Sequence, residues 1–159
     1  MKRIVIMGAS SGIGLEVTKC FIADGWKVGV AARRETPLVK LQSEYPAQVE
    51  YEVIDVIHEL APSKLHSLIE KLGGMDIYFH CSGIGHQNTE INTNVELETV
   101  RVNAMGFTQM VVTAYNYFKT AGKSGQITVV SSIAGTKGLG VSPSYSATKR
   151  YNNIYIDCL

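Results

Sequence analysis

Short apolar runs alternate along this chain with longer stretches whose apolar residues fall three or four positions apart, and that alternation leaves few folds open. The runs Arg3–Met7, Lys27–Ala32, Val49–Val53, Met75–Cys81 and Gln126–Val130 read as strands. Ile13–Asp24, Pro37–Tyr45, Pro62–Leu72, Val95–Ala121 and Pro143–Leu159 read as helices. Strand, helix, strand in regular succession requires right-handed crossovers between parallel strands. The expected fold class is therefore α/β, a doubly wound parallel sheet with five strands present and helices on both faces. Punctuation agrees: Gly25 sits where a left-handed cap residue ends the first helix, Pro62 opens the third, and Gly73-Gly74 closes it. The fifth run, "QITVV", is nearly continuous in apolar residues and predicts a strand buried on both faces. An edge strand normally carries charge, proline or a bulge, so further C-terminal strands are expected to be missing beyond Leu159.

A buried sheet needs a core, and 159 residues, 45% hydrophobic and 18% charged, supply one; residues 1–159 read as a single, C-terminally incomplete domain. The net charge of +1 leaves no surplus for gripping a polyanion, so nucleic acid is not an expected partner. Three widely spaced cysteines, Cys20, Cys81 and Cys158, in apolar surroundings suit reduced core thiols rather than a disulfide framework. The four histidines, His58, His66, His80 and His86, show no ligand spacing, and no metal is expected. Met1-Lys2-Arg3 precedes too short an apolar run for a signal peptide, and no stretch approaches the ~20 residues of a membrane span. A cytoplasmic protein without a membrane partner is the expectation.

The first strand runs into Gly8-Ala9-Ser10-Ser11-Gly12-Ile13-Gly14 and then a helix begins. A glycine-rich turn at such a junction lets the backbone approach a diphosphate, and the free N–H groups and helix dipole favour its charge. Glycines there can also serve tight helix-on-sheet packing alone. After the second strand come Arg33 and Arg34, where a carboxylate would accept from a ribose 2′-hydroxyl. Guanidinium suits a 2′-phosphate instead, which favours NADP(H) over NAD(H). A charge pair at ~4 Å and an effective dielectric of ~20 amounts to about 4 kcal/mol before desolvation, enough to decide between the two. Two alternatives stay open: a solvated turn, and Glu35 reaching a ribose hydroxyl.

Further segments extend the pattern in order: Asp55-Val56 after the third strand, Cys81-Ser82-Gly83 after the fourth, Val102-Asn103-Ala104-Met105-Gly106 in the long helix, Ser131-Ser132-Ile133-Ala134-Gly135 after the fifth, and Tyr145-Ser146-Ala147-Thr148-Lys149. With these the chain resembles, over its whole length, the short-chain dehydrogenase/reductase family, whose fold is Rossmann-like. The resemblance implies Asp55 and Val56 beside the adenine, Gly8, Ser10, Ser11, Gly12, Ile13 and Gly14 around the diphosphate, and Arg33, with Arg34 beside it, on the 2′-phosphate. It places Cys81, Ser82 and Gly83 along the cofactor and makes Asn103, Ser132, Tyr145 and Lys149 a catalytic tetrad. The family usually has threonine before the first glycine and asparagine at the position of Cys81. Met7 and Cys81 depart together and are expected to be compensating apolar replacements, since losing both polar partners costs far less than losing one.

Tyr145 and Lys149 lie four apart on a helix expected to open with Ser142 as N-cap and Pro143 behind it, so both share one face. A phenol with pKa ~10 needs about 4 kcal/mol to work near pH 7, comparable to one nearby ammonium, and both Tyr145 and Lys149 are expected to touch the cofactor. The resemblance implies that in reduction hydride passes from the nicotinamide to a carbonyl carbon, Tyr145 protonates the oxygen, Ser132 hydrogen-bonds it, and Asn103 holds a water leading from Lys149 to solvent. The expected substrate is a small carbonyl or alcohol, part of its pocket coming from Ile84–Asn94. A homodimer or homotetramer through the long and last helices is expected from "MVVTAYNYF" and "YNNIYIDCL". A dinucleotide-binding module without turnover is the alternative function.

Overall fold

A computed structural model describes all residues, Met1–Leu159. Five strands, β1 (Arg3–Met7), β2 (Lys27–Ala32), β3 (Val49–Val53), β4 (Ile77–His80) and β5 (Gln126–Val129), form one parallel sheet in the order β3-β2-β1-β4-β5. Six α-helices intervene or follow: α1 (Gly12–Ala23), α2 (Glu35–Glu44), α3 (Ala61–Leu72), α4 (Thr93–Val100), α5 (Phe107–Thr120) and α6 (Pro143–Asp157). The chain winds one way from β1 to β3 and then returns to place β4 on the other side of β1. That reversal leaves a crevice beyond the carboxyl ends of β1 and β4, where open α/β sheets take their ligands.

Two apolar layers cover the sheet because β1 and β2 are apolar on both faces. Ile4, Ile6, Val28 and Val30 pack toward Leu38 and Leu41 of α2, while Val5, Met7 and Ala31 pack toward Leu65, Leu68, Phe107 and Met110. Gly25 and Gly73 are left-handed, with φ of +77° and +78°, as their positions after α1 and α3 lead one to expect.

The structure departs from the sequence reading in four places. The long helix is not continuous: Arg101–Gly106 forms a π-helical segment between α4 and α5, because Asn103 spends its side chain on the neighbouring loop. β5 lies at the sheet edge, so Ile127 and Val129 are half-buried rather than enclosed on both faces. Ser142 stands at the N-cap of α6, but its hydroxyl does not cap the helix and donates to His86 O instead, at 3.1 Å. Cys20 and Cys158 are exposed, since one faces outward from α1 and the other lies past the end of α6; only Cys81 is half-buried.

Candidate active site

The turn after β1 depends on two glycines. Gly8 has φ of +97°, and a Cβ on it would lie 2.7 Å from Ser82 N, so only glycine lets the turn lie against the end of β4. A Cβ on Gly14 would lie 2.3 Å from Gly8 O, so its absence seats α1 on the turn. The N-cap of α1, Ser11, makes no side-chain cap bond, and the helix presents its first N–H groups to the crevice. From the end of β2, Arg34 Nη2 donates to Ser10 Oγ at 3.1 Å and to Ser11 Oγ at 2.9 Å. Arg34, not Arg33, thus ties the second strand to the turn, and both arginines border the crevice.

The crevice is one continuous cleft of about 920 Å³ running from Gly8, Ser10, Ser11, Gly12 and Ile13 past Cys81, Ser82 and Gly83 to Tyr145 and Lys149. At its far end Lys149 is 6% exposed and donates from Nζ to Val130 O at 2.9 Å. Burial pushes its ammonium below the usual lysine range, with the Cys81 side chain opposing. Lys149 Nζ also stands 5.8 Å from the centroid of the Tyr145 ring. Close packing fixes the Tyr145 ring and the backbone that carries Lys149. A Cβ on Gly85 would lie 2.7 Å from the Tyr145 ring, and one on Gly135 would lie 3.0 Å from the Lys149 backbone.

Asn103, 1% exposed, clamps the strand-to-loop exit of β4. Its Oδ1 accepts from Ile84 N at 2.8 Å, and its Nδ2 donates to Ile84 O at 2.7 Å and to Thr148 Oγ1 at 3.3 Å. The π-helical widening around Asn103 turns this side chain toward the loop. With its amide nitrogen facing the carbonyls, Asn152 donates to Asn103 O at 2.9 Å and to Thr148 O at 3.1 Å, which couples α6 to the same segment. Beneath, His80 is buried with Nδ1 2.9 Å from Tyr78 Oη. Burial first, then Lys149, lowers its pKa to about 3, so the ring is neutral. Burial pushes the Cys81 thiol up, and Cys81 N donates to Met7 O at 2.8 Å, so the backbone still ties β1 to β4 where polar side chains are lacking.

The family model described as short chain dehydrogenase matches residues 2–158. The chain belongs to the short-chain dehydrogenase family. An uncharacterized oxidoreductase of Mycobacterium tuberculosis is 32% identical over 160 residues, covering 93% of this chain and 62% of the relative. Dehydrogenase/reductase SDR family member 7B of Xenopus tropicalis is 28% identical over 169 residues, covering 98% and 54%. The closed form of a serine dehydrogenase complexed with NADP⁺ superimposes with a TM-score of 0.87 at 23% identity, over 96% of this chain and 63% of that one. The chain therefore spans somewhat over half the length of these relatives.

Not every sequence-predicted residue of this short-chain dehydrogenase borders the cleft. Gly14, Asp55, Val56, Asn103 and Ser132 do not. Val56 is buried in the core, where a Cβ on Gly106 would lie 2.6 Å from it, and Asp55 Oδ1 accepts from Ile57 N at 3.2 Å. On β5's exit the wall is Val130 and Ser131, whose Oγ is buried without a partner. Ser132 follows at the start of a 3₁₀ turn, Ile133–Gly135, its hydroxyl accepting from Ala134 N at 3.2 Å and keeping its own hydrogen free to donate. Sequence reading named Ile84–Asn94 only as a stretch; Ile84, Gly85, His86 and Gln87 line the cleft, together with Leu139 and Ser142. The glycine at position 85 was the one local sign that another group comes close there.

Proposed function

We propose that this short-chain dehydrogenase interconverts a small alcohol and a ketone or aldehyde with NADP(H), Tyr145 serving as the acid/base. The observation that carries the reading is one cleft joining an uncapped helix N-terminus, flanked by Arg34, to Tyr145 and a buried Lys149. The cleft suits a dinucleotide because glycine at 8 and 14 lets the turn lie against Ser82 and α1 seat on the turn, while Gly12 at φ +57° stands in open space at the helix start. When bound, the cofactor supplies or takes the hydride; everything else falls to the chain. Arg34 and Arg33, with Ser10 and Ser11, bind a 2′-phosphate by charge-assisted hydrogen bonds. Gly12 and Ile13 hold the diphosphate at the helix start, with Gly14 seating that helix on the turn; Cys81, Ser82 and Gly83 follow the sugar, and Asp55 and Val56 shape the end of β3 behind the adenine. Tyr145 delivers its proton to the substrate oxygen, Lys149 supplies the positive charge that stabilises the phenolate left behind, and Ser132 donates to the same oxygen. Asn103 holds the Ile84 backbone and so the substrate wall.

The serine dehydrogenase structure with NADP⁺ is consistent with this cofactor choice. Two copies meeting through α5 and α6 fit the exposed Val112, Tyr115, Tyr151 and Ile154. The test is fluorescence titration of NADPH and NADH, together with NADPH oxidation against a panel of ketones and aldehydes. NADPH binding at least about tenfold tighter than NADH, abolished by Arg34→Ala, is expected. Equal affinities would remove the cofactor assignment, and binding without reduction of any carbonyl would leave a dinucleotide-binding module.

A further inference from the structure

The first turn of α6 carries Tyr145, yet nothing local caps it. Pro143 has no N–H, and the Ser142 hydroxyl is directed to His86 O. The N–H of Ser144 is taken from another element: Glu96 of α4 accepts from Ser144 N at 2.9 Å and from the Ser144 hydroxyl through the same oxygen, Oε2. Its other oxygen accepts from Asn88 Nδ2 at 2.6 Å. Asn88 is 6% exposed and fully engaged, with Oδ1 accepting from Asn92 N at 2.9 Å, Nδ2 reaching Asn92 O at 3.1 Å, and its own N–H donating to Val141 O at 2.7 Å.

One carboxylate therefore joins α4, the loop that runs on from the cleft wall 84–87, and the helix turn bearing Tyr145. We propose that Glu96 is a positioning residue that fixes Tyr145 against the substrate wall by clamping Asn88 and Ser144 together. The role rests on reading Tyr145 as the proton donor. The chemistry favours a carboxylate: three donors converge on two oxygens, each contact is charge-assisted, and the anion sits at the positive end of α6. Glutamine would satisfy Ser144 but turn an NH₂ toward the Asn88 NH₂.

That complementarity supplies the test. Glu96→Ala, Glu96→Gln and the double variant Asn88→Asp/Glu96→Gln, in which the acceptor and donor change places, are compared in the full chain. Three readouts are used: NADPH titration, steady-state carbonyl reduction, and hydrogen exchange of residues 84–88 and 144–146. Glu96→Ala is expected to lower kcat about tenfold and raise the carbonyl KM about tenfold, with the NADPH Kd unchanged within about twofold. Exchange in both segments should accelerate about tenfold, and the double variant should recover part of what Glu96→Gln loses, because an aspartate at 88 regains the contact with position 96 but gives up the bond to Asn92 O. Unchanged kcat and KM in Glu96→Ala, or a double variant no better than Glu96→Gln, overturns the inference. So does exchange that accelerates evenly over the whole sheet. If the wild-type chain binds NADPH but reduces nothing, the reaction proposal fails, and exchange alone then decides the clamp: unaltered rates in Glu96→Ala reject it, local acceleration partly reversed by the double variant supports it.

Discussion

Gly85 leaves Tyr145 one place to be. A methyl group there would sit 2.7 Å from the ring, closer than carbon atoms approach, so either the ring or the loop must move. Gly85→Ala is expected to lower kcat by about 10²-fold, as a displacement near 1 Å does to a positioned group, with NADPH affinity kept. Steady-state kinetics beside a fluorescence titration checks both halves. His80 is the other decisive single residue, because it is buried, neutral and bonded to Tyr78. Its folded pKa of about 3 lies below the unfolded value of about 6.5, so between them the unfolded chain binds more protons. Stability from this residue is complete above pH ~6.5 and declines toward pH ~3, by at most about 5 kcal/mol. Urea unfolding across that window should show the decline, and Tyr78→Phe/His80→Leu, which removes both polar partners, should flatten it.

At the scale of elements, the π-helical segment Arg101–Gly106 is where regular structure yields to the site. Asn103→Ala would leave Ile84 N–H and C=O without their partner; the expected cost is about 1–3 kcal/mol of unfolding free energy, with loss of turnover beyond what stability explains. Denaturant titration and kinetics on the same preparation check it. Glu96 sets a related expectation. Hydrogen bonds from Ser144, then Asn88, hold its carboxyl below the usual range. The clamp is thus complete above the ordinary glutamate pKa of ~4.3 and is released as pH falls through the lower folded value, which exchange at residues 84–88 reads directly. The first three strands were legible to the residue, because apolar runs such as Arg3–Met7 bounded by glycine or polar turns admit one period. The break at Arg101 was not legible: helix periodicity continues through it, and only the contacts of Asn103 with Ile84, 19 residues before it, reveal why the turn widens.

For the whole molecule, the sheet order β3-β2-β1-β4-β5 places the turn, the end of β4 and α6 around one cleft. Glycine and YxxxK spacing made both ends of that cleft readable, since each motif is local: Gly8 needs its φ, and Tyr145 and Lys149 share a helix face. Glu96, Asn88 and the wall at Ile84–Gln87 act through tertiary contacts to Ser144 and Val141, and only Gly85 gives a local sign of them. Association belongs to this scale too. If α5 and α6 form the contact, light scattering should give a multiple of the chain mass, and Val112→Asp/Ile154→Asp should shift it to the monomer. The proposal that Tyr145 is the acid/base in a cleft shared with NADP(H) meets its most direct test in NADPH oxidation by the wild-type chain and Tyr145→Phe, with an active carbonyl at saturating cofactor. The expected result is turnover that falls at least about 10²-fold in Tyr145→Phe while the NADPH Kd stays within about twofold. Equal turnover in the two proteins would contradict it.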